Sequence, residues 1–245
     1  MTTASFPDVT EPTACLVPPG EPEEFADPLK PFNDAAEFLT PSGWLFKLAE
    51  LYVGENPLTW AKQSLAGDWK AYVTCASAWR ETGRACEGIA RNLRSGNTRI
   101  GAAWDGNAAE AGAHYFSALA GNLADFHASL DAMGSEYLAV AQAVSYAGEA
   151  VGDCLGAMLD ALITTSLIAT AEAATGGSAA VAAAAFGTQE LLSILREWEC
   201  MIQLIAGAQA QVHAGYGTLA RTGAEALAGL NAFPVPRTGY DHPAV

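Results

Sequence analysis

Apolar residues recur along this chain in an alternating four-three spacing, the rhythm that places them on one stripe of a helix. One run comprises Leu65, Trp69, Tyr72, Ala76, Trp79, Gly83, Cys86, Ala90 and Leu93. A second comprises Phe116, Leu119, Leu123, Phe126, Leu130, Met133, Tyr137, Val140, Val144, Ala147 and Val151. The stretch between them holds Gly96, Gly101 and Gly106, so the pattern predicts two amphipathic helices joined as a hairpin. A third stripe runs through Leu195, Trp198, Ile202, Ile205, Gln209, Val212, Tyr216, Leu219, Gly223, Ala226 and Leu230. No segment alternates with period two in the manner of a half-buried strand.

Start and stop signals bound these helices. Eight of the twelve prolines fall within the first 41 residues and three follow Phe233, leaving Leu58 to Phe233 without one. A proline in a helix interior costs about 3 kcal/mol, so this span is open to uninterrupted helices. Asn56 and Pro57 offer a cap and a first helical residue for a helix reaching roughly Arg99. Asn107, with Glu110 three residues on, resembles a capping box for a second helix extending to Ala174. Gly176 and Gly177 end it, Ser178 caps the third helix, and Pro234 and Pro236 stop that one. Two short helices are expected upstream: one capped by Asn33 or Asp34 and reaching Leu39, the other capped by Ser42 with Trp44, Leu45, Leu48 and Tyr52 on its apolar face.

The expected organisation is therefore a mobile, acidic and Pro-rich arm over residues 1–32 and short helices over 33–55. A helical hairpin follows over 56–175, then a third long helix of the same bundle over 176–233 and a tail over 234–245. The fold class is all-α, an elongated antiparallel bundle built on a long helix-turn-helix hairpin. A hairpin centred near residue 102 sets Trp79 against Phe126 and Tyr72 against Met133, with Arg80 near Asp125 and Arg91 near Glu110 or the turn.

Charge narrows the possible partners. Twelve basic against 27 acidic residues give a net charge of −15, and no Lys or Arg lies between Arg99 and Arg196. Such a surface repels phosphate, which argues against nucleic-acid binding and against charge-driven docking to an anionic membrane. The first twenty residues lack the basic start and apolar core of a secretory signal peptide. Arg80, Arg84, Arg91, Arg94 and Arg99 cluster on the first long helix, where they are expected to pair with the acidic second helix.

Residue chemistry suggests no enzyme, cofactor or metal. His114, His127, His213 and His242 share no metal-binding spacing and read as solvated side chains. Cys200 and His213 would stand roughly 20 Å apart on one straight helix, too far for a nucleophile and its base. Cys15, Cys75, Cys86, Cys154 and Cys200 show no pairing pattern and read as reduced thiols. The apolar run from Cys154 to Ala171 carries Asp160 at its centre, which favours a tightly packed bundle end over a membrane span. A membrane-active effector using residues 154–186 is the weakest alternative.

What stands apart is the hairpin turn, Ala102-Ala103-Trp104-Asp105-Gly106-Asn107-Ala108-Ala109. Long helix, Trp-x-Gly turn, long helix resembles the Trp-x-Gly family of substrates of the type VII (ESX) secretion system of actinobacteria and firmicutes. The stretch from Asn56-Pro57-Leu58 to Gly67-Asp68-Trp69 is similar to the larger actinobacterial members, and the resemblance covers about residues 56–150. It implies a non-enzymatic secretion substrate or secretion-associated protein, acting by helix packing with a small Trp-x-Gly partner or as a homodimer. Trp104, Asp105, Gly106 and Asn107 would be its recognition residues. It also implies manufacture in the cytoplasm and export by the type VII machinery without a cleavable signal peptide. The family's Tyr-x-x-x-Asp/Glu signal is absent after the second helix: Tyr137 precedes Val140 and Ala141, and Tyr146 has Glu149 one position early. A partner would then carry that signal. The alternative is a cytoplasmic adaptor or chaperone-like bundle that holds a secreted toxin.

Overall fold

A computed structural model describes residues 8–19, 25–33, 43–174 and 188–231, and among them every regular element is helical. After a 3-10 turn at Pro12–Cys15 come α1 (Gly43–Val53), α2 (Pro57–Ser64), α3 (Trp69–Gly101), α4 (Asn107–Ala174) and α5 (Thr188–Asn231). The helices pack on one another as an all-α bundle. The chain divides into two compact units. Unit 1 gathers Met1–Pro22, Tyr72–Ala139 and Gly215–Val245, and unit 2 gathers Glu23–Ala71 and Val140–Ala214.

Unit 2 is built on large apolar side chains. Phe32, Phe46, Leu65, Val151, Met158, Leu162, Ile194 and Met201 form one buried cluster, with Trp60 and Trp198 in tilted contact at its margin, ring centroids 4.8 Å apart. The second short helix buries Phe46 and Ala49, while Tyr52, assigned to its apolar face, is 40% exposed. Its end is marked by Gly54 at φ +90°, a backbone state that a Cβ opposes. Asn56 then caps α2 as expected, its Oδ1 accepting from the Thr59 N–H at 3.1 Å.

The helix predicted to run unbroken from Pro57 to Arg99 stops at Ser64 and restarts at Trp69. Gly67 weakens the helix, and Asp68 caps the restart by accepting from the Ala71 N–H at 3.0 Å. The Trp69 indole folds back over Gly67 and donates to the Leu65 carbonyl at 2.9 Å, so the break is held by specific contacts.

On α4, Val140, Val144, Ala147 and Val151 are buried as the stripe requires. On α5 the expected face holds in part: Ile205 and Ala226 are buried, but Leu195 and Ile202 are 38% and 42% exposed, and their predecessors Ile194 and Met201 fill the core. In the apolar run after Cys154, Leu155, Met158 and Leu162 are buried and Asp160 is exposed. No described helix is long and apolar enough to cross a membrane.

Unit 1 instead brings helix backbones together. Every buried residue of α3 is Ala or Gly: Ala76, Gly83, Ala85, Gly88, Ala90 and Gly96. A Cβ on Gly134 of α4 would stand 2.8 Å from the Ala76 carbonyl oxygen, and one on Gly83 would stand 2.8 Å from Nδ1 of His127. The Asn97 amide donates to the Ala113 carbonyl at 2.9 Å. These three pairs are all centred on Asp105, so the hairpin is longer than one centred at 102. The reason is that α3 continues through Gly96 and Gly101, and Gly96 serves close packing while the turn starts later.

The shifted register changes the partners. Tyr72 meets Tyr137, 5.4 Å between ring centroids, in place of Met133, and its hydroxyl bonds to that of Tyr216. Arg80 reaches Asp131 at 3.8 Å and donates to the Ser135 hydroxyl at 3.2 Å, in place of Asp125. Arg91 pairs with Glu87 of its own helix at 3.2 Å, and Arg94 approaches the same carboxylate at 3.6 Å, so Arg91 does not serve Glu110. His127, expected in solvent, has its Nδ1 buried and without a hydrogen-bond partner.

Parts of the segment expected to be a mobile arm make specific contacts with the helices. In unit 1, Val9 and Thr10 donate their N–H groups to Asn92 Oδ1 at 2.9 and 3.0 Å, and Asn92 Nδ2 donates back to the Thr10 carbonyl at 2.7 Å. Gly88 makes room for Pro12. In unit 2, the Ser145 hydroxyl donates to the Ala26 carbonyl at 2.6 Å, and Gly148 lies against Pro28 so closely that a Cβ would sit 2.5 Å from its carbonyl oxygen. The backbone is already helical at Lys30, ahead of the expected Asn33 cap, with the Asp27 carboxylate accepting from the Leu29 N–H. Asp34 to Leu39, the Ser42 and Ser178 caps, Gly176, Gly177 and the proline-rich tail lie outside the described residues, as does His242.

Candidate recognition apex

The apex is set by where α3 fails and α4 begins. Beyond Gly101 the Ala103 N–H still reaches the Ile100 carbonyl at 2.9 Å, closing the last turn. Gly106 takes φ +98°, which reverses the chain where a side chain would be strained. Its carbonyl accepts from the Glu110 N–H at 3.1 Å, the first bond of α4. Asn107 is therefore the first helical residue and not the cap, which corrects the capping-box reading. Glu110 nevertheless stands in the first turn, where its charge complements the helix N-terminus.

All four candidate residues are at the surface. Trp104 is 46% exposed, and Asp105, Gly106 and Asn107 are exposed as well. The indole does not float free: its edge lies over Gly112, where a Cβ would come within 3.2 Å of Cζ3. The benzene edge of the ring is thus set against α4, and nearly half of the side chain is presented to solvent. A small residue at position 112 is what permits this, a signal present in the sequence that heptad spacing alone does not reveal.

Beneath the apex, unit 1 contains a cavity of about 380 Å³. Ile89, Leu93 and Ile100 of α3 and Phe116 of α4 line it, and Asp8 and Pro12 of the fastened N-terminal segment form its rim. The sequence stripes do not foresee it, because the N-terminal segment supplies part of the wall.

Among the described residues no group of three His, Cys, Asp or Glu side chains is placed to hold a metal ion. Cys200 and His213 both lie on α5 and are exposed, with no contact between them among the described residues. Two cysteines that sequence spacing did not pair are brought together: Cys154 and Cys200 in unit 2, with sulfurs 3.3 Å apart. No family model, curated protein or solved structure matches the chain. The apex thus presents a half-exposed aromatic ring beside a positive-φ glycine, between two helices.

Proposed function

We propose that this protein is a non-enzymatic substrate or accessory protein of type VII (ESX) secretion. It acts by packing its helices against a small Trp-x-Gly partner or a second copy of itself. The observation that carries the reading is the half-exposed Trp104, seated on Gly112 and followed by Gly106 at φ +98°, at the joint of two long helices. Aromatic side chains held rigidly at a surface give up little entropy on binding and commonly dominate interfaces. Leu192, Leu195 and Ile202 of α5, exposed on unit 2, supply apolar surface for a partner helix. The same surface suits a cytoplasmic adaptor that holds a toxin, and fractionating cells with and without the secretion ATPase separates the two readings.

The direct test is Trp104→Ala. Export of the chain, or co-purification of its partner, should fall to background while far-ultraviolet circular dichroism stays that of the parent. Unchanged export and partner recovery would refute the role given to the apex.

A further inference from the structure

In unit 2 the Cys154 thiol, on α4, donates a hydrogen bond to the sulfur of Cys200, on α5, at 3.3 Å. Forty-six residues separate the two in sequence, and both are free thiols. Packing on either side fixes their positions. Val151, Leu155 and Met158 of α4 and Met201 of α5 belong to the same buried cluster as Cys154. A disulfide needs its sulfurs at about 2.05 Å, so closure joins two sulfurs that are already in contact. The two thiols differ in access: Cys200 is exposed and Cys154 is buried.

We propose that Cys154 and Cys200 form a redox modification site, which a low-molecular-weight disulfide converts into one intramolecular bridge between α4 and α5. The inference does not depend on the secretion reading. Cys200 reacts first because an oxidant can reach it. Its sulfur bonds to one sulfur of the small disulfide, whose S–S bond breaks, and the expelled thiolate takes the Cys200 proton. Cys154 then bonds to the Cys200 sulfur, the mixed disulfide breaks, and the second thiolate departs with the Cys154 proton. Two protein thiols are oxidised and one small disulfide is reduced to two thiols.

Burial, then the hydrogen bond to Cys200 and the charge of Glu197, push the Cys154 thiol up. It is therefore a poor nucleophile toward anything in solution. Held against Cys200, however, its second step is intramolecular and outruns capture of a further oxidant molecule.

The chain allows a clean assay, since cleavage after Lys and Arg puts each of the five cysteines in a different peptide; Cys154 falls in 100–196 and Cys200 in 197–221. The reduced full-length protein is treated with excess oxidised glutathione, denatured, alkylated, digested and weighed. The expected product is peptide 100–196 joined to 197–221 by one disulfide and lighter by two hydrogens than the two peptides together, while the exposed Cys75, which has no thiol partner, stops at a glutathione adduct. Cys200→Ser, a change at an exposed position, should keep Cys154 fully alkylated. Cys154→Ser should stop at glutathione on Cys200. Full alkylation of Cys154 after oxidation of the parent overturns the proposal, as does a lasting glutathione adduct on Cys200 or a bridge between two chains.

Discussion

The two units solve the same packing problem by opposite means. Unit 2 fills the space between its helices with large side chains such as Phe32, Met158, Leu162 and Met201, each 2% exposed or less. Unit 1 brings α3 and α4 into close approach below its apical cavity, because every buried position of α3 is Ala or Gly and α4 offers Gly134 against the Ala76 carbonyl. The first kind of core is sensitive to what is removed from it, the second to what is added. Gly148 and Gly152 show that unit 2 also uses close approach, where Pro28 and Pro31 pass α4.

The largest expected effect comes from emptying unit 2. Met158→Ala, at a fully buried site, should cost about 2–5 kcal/mol, read as a lower urea midpoint and faster hydrogen exchange in residues 140–214. A loss under about 1 kcal/mol would mean that side-chain volume does not hold this unit.

Next comes filling unit 1. Gly134→Ala gains about 1 kcal/mol of helix propensity but drives a methyl group into the Ala76 carbonyl and the Arg80 side chain, an overpacking worth about 1–3 kcal/mol. The net effect should be destabilising. Gly121→Ala, on the same helix with nothing within 4 Å of the new Cβ, should stabilise by up to about 1 kcal/mol. If both substitutions stabilise equally, the close approach of α3 and α4 does not limit unit 1.

The smallest effect sharpens the exception within unit 1, its tyrosine cluster. Burial, followed by the hydrogen bond to Tyr216, pushes the Tyr72 hydroxyl up from 10.0 to about 12. A raised folded-state value means that the neutral form is favoured by folding. That contribution is complete below pH 10 and is lost as the pH rises toward about 12. The stability gap between the parent and Tyr72→Phe should therefore narrow across this window, measured by urea unfolding at successive pH values. A gap independent of pH would remove Tyr72 from the account.

Much of the fold could be read from the residues. The proline-free span left only helices, Asn56 marked a true cap, and Trp104 to Gly106 marked the turn. Other features could not be read, each for a physical reason. Heptad spacing identifies a helix face only to within about one residue, so Ile194 and Met201 could not be told from Leu195 and Ile202 as core. Gly67 and Asp68 did carry the signal for a break, but an apolar stripe running across them outweighed it. Gly96 looked like turn material because a glycine required by a neighbouring backbone and one required by a turn are the same letter.

The sequence by itself determined the helices, the turn at Trp104 and the acidic, phosphate-repelling character, because local backbone preference and charge are properties of neighbouring residues. Tertiary structure alone decided the hairpin register, the fastening of the N-terminal segment to Asn92 and the meeting of Cys154 with Cys200. Those depend on which backbones approach closely enough to touch. That distance is set by Ala and Gly contacts between residues far apart in the chain, and no local pattern encodes it.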